Sequence, residues 1–159
     1  MTQSNWSTAI ISKSISDGIL IHQDLLGSVE DLLLEITDLM LHAFDNGGRI
    51  FFLGNGGSAA EAQHIATEFI VRFKYQRRAL PVIALSTDTS VMTATGNDLS
   101  FEDIFSRQIE ALVDERDVVV ALSTSGSSQN ILNGLKLAKE KGAATVGFTG
   151  NRKGPIVNL

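Results

Sequence analysis

Hydroxyl side chains crowd one short stretch of the sequence, residues 123–128, directly after the apolar run of residues 118–122. A loop of this kind, followed by a helical pattern over residues 129–141, aims backbone N–H groups, hydroxyls and the positive end of a helix dipole at one small volume. The loop contains no Lys or Arg, so an anion would be held by neutral donors. The pattern favours a phosphate site over an ordinary helix cap, which needs only one hydroxyl.

A second loop of possible chemical importance is rich in glycine. Residues 54–59 satisfy G-x-G-x-x-A between a predicted strand and a predicted helix, as a dinucleotide-binding fingerprint does. That fingerprint also needs an acid about 20 residues on, and Asp88 lies well beyond that spacing. No Gly-Lys-Ser/Thr follows, which excludes a Walker A loop. A ligand loop and a tight turn that only lets helix and strand pack closely remain equally good interpretations.

The helix predicted over residues 59–73 separates its residue types sharply. One face is apolar, and a second carries polar and charged residues: Glu61, His64, Glu68 and Arg72. His64 and Glu68 are one turn apart, a spacing that can chelate a metal. The spacing alone favours an ordinary exposed His/Glu pair. Their expected place in the first turns of the helix, at the ligand edge of a sheet, favours instead a general base or metal site.

Asn97 and Asp98 lie in a predicted connection just before Ser100. Asn and Asp favour such corners for conformational reasons. Because Ser100 already provides a cap for the helix predicted over residues 101–113, Asp98 is free to bind a substrate hydroxyl. Both interpretations stay open.

The elements that must position these residues alternate between strand and helix from Arg49 onward. This order predicts an α/β fold, a three-layer sandwich with a central parallel sheet, with both special loops at the carboxyl ends of strands. Before it, residues 15–44 read as one long helix with two apolar rows, ended by the glycines at 47–48. So broad an apolar face predicts burial against a partner subunit. We therefore divide the chain into a helical oligomerisation segment, residues 1–47, and an α/β domain, residues 48–159.

The composition excludes several classes of function. A net charge of −5 in 159 residues argues against a nucleic-acid partner, and no apolar run approaches the length of a membrane helix. There are no cysteines, so disulfides and thiolate metal sites are excluded. The N-terminus lacks the features of a secretory signal. We expect a cytoplasmic protein without a membrane partner.

Taken together, these motifs resemble the sugar isomerase (SIS) family, whose fold is flavodoxin-like, and within it the phosphoheptose isomerases. The matching stretches follow in order from Arg49: GNGGS at 54–58, AQH through Glu68 at 62–68, ALSTD at 84–88, GND at 96–98, FSRQ at 105–108, STSG at 123–126 and FTG at 148–150. As a set they are highly specific. The long N-terminal helix is similar to the helix through which that family forms tetramers.

The resemblance implies isomerisation of sedoheptulose 7-phosphate to glycero-manno-heptose 7-phosphate. Glu68 matches the base that moves a proton between C1 and C2, and His64 and Glu68 match two ligands of a Zn²⁺ ion. The residues that match substrate-binding positions are Asn55, Gly56, Gly57, Glu68, Arg72, Asn97, Asp98, Ser123, Thr124, Ser125 and Ser128. The family's remaining zinc ligands, a Gln and a His, lie on a C-terminal helix. We therefore expect them beyond Leu159 and assign the activity to a protein that includes them.

Two other functions compete with the isomerase. Non-catalytic SIS proteins, such as those that associate with a replication initiator, generally lose the metal-binding Glu and vary the hydroxyl loop. Glu68 and the complete Ser-Thr-Ser-Gly favour the enzyme. A dinucleotide-dependent oxidoreductase depends on the G-x-G-x-x-A match alone.

Overall fold

The computed structural model describes residues 8–150 and 154–159. Six α-helices are present in this part of the chain: α1 Thr8–Leu25, α2 Glu30–Asp45, α3 Gly57–Ile70, α4 Thr89–Asp98, α5 Ser106–Leu112 and α6 Gln129–Glu140. The strands are β1 Ile50–Gly54, β2 Val82–Ala84, β3 Val118–Ser123 and β4 Ala144–Thr149. Two short 3₁₀ helices cover Phe101–Asp103 and Pro155–Asn158.

The four strands form one parallel sheet in the order β2-β1-β3-β4. The central strands β1 and β3 are aligned so that Gly54 lies opposite Leu122. Their carboxyl ends, and the loops that follow them, are therefore neighbours. The predicted α/β fold with a parallel sheet is confirmed.

Alternating residues of the sheet bury two separate hydrophobic faces, since successive strand side chains point to opposite sides. Phe51 and Leu53 pack in one cluster with residues of α5 and α6, among them Ile109, Ile131 and Leu135. The other face contains Ile50, Phe52, Val82 and Val120, packed with Ala43 of α2 and Ala62 and Ala66 of α3. Helices thus cover both faces, which gives the three predicted layers.

The single N-terminal helix predicted over residues 15–44 is wrong, because the structure has two helices with a break at Gly27. Gly27 adopts φ 77°, a left-handed conformation that ends α1. Its backbone N–H donates to the Glu30 carboxylate at 2.6 Å. That hydrogen bond lowers the pKa of Glu30, as expected of a carboxylate at the start of α2. The apolar rows continue across the break, which is why periodicity alone does not show it.

By compactness the chain divides after Asp38, inside α2, into two units. In the first unit, α1 buries none of its residues. Its exposed apolar side chains include Ile11, Ile15 and Ile19, and Leu26 just beyond the helix is 76% exposed. The sequence-based division after residue 47 follows the end of the helix rather than compactness, and it stays a prediction.

Two further boundaries differ from the predicted ones. Helix α4 continues to Asp98, so Asn97 and Asp98 belong to a helix and not to a connection. The predicted helix 101–113 is a 3₁₀ turn followed by the short α5. Ser100 caps the 3₁₀ turn as predicted, since its hydroxyl accepts a hydrogen bond from the Glu102 N–H at 3.1 Å. In the part of the chain that the structure describes, no helix has both the length and the apolarity to cross a bilayer.

Candidate active site

A polar cavity of about 210 Å³ opens between the loops that follow β1 and β3. Its lining residues carry no charge: Asn55, Ser58, Leu122, Ser123, Thr124, Ser125 and Ser128. Five of the predicted substrate-binding residues are therefore brought together at the carboxyl edge of the sheet. Ser58 is a lining residue that sequence reasoning missed, although it directly follows the glycines of the first loop.

Hydrogen bonds within the hydroxyl loop fix its shape. The Gly126 N–H donates to the Ser123 hydroxyl at 3.1 Å, and the Ser127 hydroxyl donates to that of Ser125 at 3.1 Å. Gly126 has φ 62°, and a Cβ there would lie 2.7 Å from Cγ2 of Ile156. Only glycine meets both conditions without strain. Ile156 thus closes the loop from behind, and Ser123, Thr124 and Ser125 line the cavity.

Ser128 occupies the N-cap position of α6, but its side chain makes no capping hydrogen bond. The Asn130 Oδ1 accepts a first-turn N–H instead, from Ile131 at 3.0 Å. The Ser128 hydroxyl therefore lines the cavity without being used as a cap. Beside it, the N-terminus of α6 adds the partial positive charge that favours an anion.

The first glycine loop brings α3 very close to β1. A Cβ on Gly54 would lie 2.7 Å from the Ser58 carbonyl carbon, so a side chain there would displace the start of the helix. Gly56 and Gly57 are exposed at that start and do not line the cavity. Asp88, the acid considered for a dinucleotide site, accepts the Val91 N–H at 2.9 Å and caps α4. This use of Asp88 as a cap weakens the oxidoreductase interpretation.

His64 and Glu68 lie in the second half of α3, not in its first turns as predicted. At a rise of 1.5 Å per residue, His64 is about 10 Å along the axis from Gly57. The His64 Nε2 and Glu68 Oε1 are 3.8 Å apart, with side chains 67% and 31% exposed. The pair is open to solvent on the imidazole side and half-buried on the carboxylate side.

This pair lines a second cavity of about 340 Å³, which shares no residue with the first. Its other walls are Ile65, Phe69, Phe73 and Arg77. The Arg77 guanidinium donates to the carbonyl oxygens of Phe69 at 2.6 Å and Glu68 at 2.7 Å. Sequence reasoning missed Arg77. A cation just beyond a helix end is the signal that was available, because the last carbonyls of a helix attract one.

The same contact explains why α3 ends at Ile70 and not at residue 73. With the last-turn carbonyls occupied by Arg77, the helix does not continue to Arg72. Arg72 is exposed and donates to the Gln76 Oε1 at 3.1 Å. It therefore lies past the helix and not on the face with His64.

Asn97 and Asp98 line neither of these cavities. Both are exposed at the end of α4, and the Asn97 amide donates to the Asp98 carboxylate at 2.7 Å. The structure of this chain does not bring them to the other predicted substrate residues.

His64 and Glu68 offer two potential zinc ligands, an imidazole nitrogen and a carboxylate oxygen, one helical turn apart. Zinc takes three or four protein ligands. Among the described residues no cluster of three or more His, Cys, Asp or Glu side chains is placed to hold a metal. The pair thus fits part of a zinc site, and the described residues do not complete it.

Comparison with known proteins connects this arrangement to sugar phosphate chemistry. The model of the SIS domain matches residues 19–150. The phosphoheptose isomerase of Geotalea uraniireducens is 51% identical over 139 residues, which is 85% of this chain and 74% of that protein.

Solved structures agree with this result. The phosphoheptose isomerase of Neisseria gonorrhoeae superposes with a TM-score of 0.87 at 36% identity, covering 95% of this chain and 79% of that one. A phosphoheptose isomerase from Francisella tularensis gives a TM-score of 0.92 at 30% identity, covering 96% and 80%.

Proposed function

The chain belongs to the SIS domain family and, within it, to the phosphoheptose isomerases, and from this premise we propose that it interconverts sedoheptulose 7-phosphate and glycero-manno-heptose 7-phosphate. The observation that carries the proposal is the uncharged, hydroxyl-lined cavity at the start of α6. Hydroxyls, an amide and a helix N-terminus suit a phosphate monoester.

The two cavities have no lining residue in common, so they could hold different parts of one substrate. A heptose 7-phosphate carries its phosphate at C7, and its reacting carbons, C1 and C2, at the other end of the molecule. The phosphate would bind Ser123, Thr124, Ser125 and Ser128 beside Asn55, and the loop of Asn55, Gly56 and Gly57 would extend along the sugar. Arg72, Asn97 and Asp98 enter the proposal as substrate contacts only through their match to the family motifs.

Glu68 is the proposed base. Its carboxylate would take a proton from C1 of the ketose and return it to C2 to give the aldose. The C2 oxygen gains a proton as the enediol forms, and the C1 hydroxyl loses one as the aldose carbonyl forms. The Glu68 side chain is 31% exposed beside Ile65 and Phe69, so it is partly desolvated and still accessible to a substrate. A carboxylate in such a place is suited to proton transfer at carbon.

We include Zn²⁺ in the proposal, held by His64 and Glu68 with further ligands from outside the described residues. When bound, zinc would act as a Lewis acid that polarises the carbonyl and hydroxyl oxygens of the sugar. The donor types and their 3.8 Å separation support this choice.

The proposal also includes a homo-oligomer, a tetramer, formed through the N-terminal helices. The support is α1, whose apolar side chains are exposed along its length. The double variant I15S/I19S should lower the molar mass measured by light scattering. The matched control K13S, on the same helix but outside the apolar row, should leave it unchanged.

The decisive test is turnover. We expect a form of the protein that includes the remaining zinc ligands to convert sedoheptulose 7-phosphate to the aldose, followed by proton NMR, with loss of activity on chelation and recovery with zinc. Absence of turnover with zinc present, together with tight binding to a replication initiator, would favour the non-catalytic SIS alternative.

The proposed compartment is the cytoplasm, which cell fractionation would check.

A further inference from the structure

Two asparagines 75 positions apart form a reciprocal amide pair beside the uncharged cavity. The Asn55 Nδ2 donates to the Asn130 Oδ1 at 2.9 Å, and the Asn130 Nδ2 donates to the Asn55 Oδ1 at 2.8 Å. Asn55 lines the cavity, whereas Asn130 does not and is 2% exposed. A buried amide of this kind needs its hydrogen bonds, because an unpaired one is costly in a low-dielectric interior.

The helix fixes which way both amides point. The Ile131 N–H donates to both the Ser128 carbonyl and the Asn130 Oδ1, each at 3.0 Å, and the second contact holds that oxygen toward the start of α6. The Asn130 amino group is then left to face Asn55, and it can meet only the Asn55 oxygen. The Asn55 amino group is oriented in turn, and its second N–H is available as a donor.

The pair also joins the two loops that form the cavity. Asn55 directly follows β1, and Asn130 is the second residue of the helix that follows β3. Strands β1 and β3 are neighbours in the sheet. One side-chain pair therefore spans the gap between the two loops and limits how far they can separate.

We propose that Asn130 is a positioning residue, which holds Asn55 as a hydrogen-bond donor toward the anion and fixes the width of the cavity. The inference deepens the proposed function and rests on it for the substrate. Asn130 acts only through Asn55, so removal of either side chain should weaken phosphate binding through loss of the same contact.

The test is a double-mutant cycle with inorganic phosphate as the probe, measured by calorimetry, alongside KM and kcat for sedoheptulose 7-phosphate. We expect N130A to weaken phosphate binding and raise KM by about three- to tenfold, the size of one neutral hydrogen bond. The kcat should stay within about twofold, since the proton-transfer residues are elsewhere. The double variant N55A/N130A should bind phosphate no more weakly than N55A alone.

Two variants guard the interpretation. N133A makes the same change one turn further along α6, where Asn133 donates to the Glu102 carbonyl at 3.2 Å, and should leave phosphate binding unchanged. N130D keeps the acceptor for the Ile131 N–H and is tolerated early in a helix, but it loses the donor to Asn55. It should weaken phosphate binding at least as much as N130A, because it also adds a negative charge near the anion.

An additive double variant, wild-type affinity in N130D, or a wild-type protein with no measurable phosphate affinity would each overturn the inference. Failure of the proposed function would give a different experimental result. The wild type would then bind phosphate but not convert the heptose phosphate, and the cycle would still decide the role of Asn130.

Discussion

The hydroxyl-lined cavity and the His64–Glu68 cavity differ in how completely this chain builds them. The first is closed by hydrogen bonds among residues 123–128, and by backbone contact with Ile156. The second has one apolar wall and two chemically capable side chains, with His64 67% exposed. The described residues thus form the whole of the proposed anion site, whereas the proposed chemistry needs further groups in addition to His64 and Glu68.

The largest expected effect separates chemistry from binding. E68Q removes the proposed base while it keeps the shape of the side chain, so kcat should fall by about 10²–10⁴-fold. Inorganic phosphate should bind to E68Q as it does to the wild type, because Glu68 does not line the hydroxyl-lined cavity. E61Q, on the same helix, is the matched control and should retain activity. Retained turnover in E68Q would exclude Glu68 as the base.

The next effect tests whether the hydroxyl loop is as rigid as its geometry indicates. G126A places a Cβ 2.7 Å from Cγ2 of Ile156 at φ 62°. The free energy of unfolding should fall by roughly 1–3 kcal/mol, measured by denaturant titration, with loss of phosphate affinity. G96A is the control, since nothing lies within 4 Å of a Cβ there. It should be neutral or stabilise the protein by about 0.5–1 kcal/mol. A G126A protein of wild-type stability would contradict the strain argument.

A smaller effect sharpens the assignment of the phosphate. S125A removes one neutral donor from the anion cavity and should raise KM by about three- to tenfold, with kcat nearly unchanged. Steady-state kinetics measure both constants. Ser90, exposed in α4, offers the control S90A, for which neither constant should change. An unchanged KM in S125A would count against the hydroxyl loop as the phosphate site.

The smallest expected effect concerns an ion pair just before β3, formed by residues that line neither the hydroxyl-lined cavity nor the His64–Glu68 cavity. Arg116 donates to the Asp114 carboxylate from Nη2 at 2.7 Å and from its backbone N–H at 3.0 Å, which lowers the pKa of Asp114 well below its usual range. A lowered pKa means that the stabilisation is present above the ordinary pKa of Asp and is lost as the pH falls toward the folded-state value.

The variant D114N should therefore melt slightly below the wild type at pH 7, and the difference in melting temperature should shrink steadily as the pH falls below about 4. Thermal unfolding across pH measures the difference. Phosphate affinity should be unaffected. A gap in melting temperature that widens on acidification would contradict this sign.

Local patterns predicted much of this architecture. Alternating apolar runs predict the order of strands and helices and the parallel sheet. Residues 123–128 predict the hydroxyl loop, because its hydroxyls and its glycine are neighbours in sequence. The Ser100 cap was likewise predictable, because capping depends on neighbours in sequence.

What sequence reasoning missed depends on contacts between distant residues. The end of α3 is set by Arg77 reaching back to the Glu68 and Phe69 carbonyls. Asn130 gains its role from Asn55, which is 75 positions away. The break at Gly27 is hidden by apolar rows that run straight through it. The predicted helix began two residues late, so His64 and Glu68 were expected nearer its start than the structure places them.

The neutral lining of the anion cavity has a consequence for how the protein behaves in different electrolytes. Full charges act over a Debye length and are weakened by added salt, whereas hydroxyl and amide dipoles act only at contact. Affinity for the phosphate end of a ligand should therefore change little with ionic strength. The uncharged lining itself adds no long-range attraction, so an arriving anion gains no electrostatic steering from this cavity.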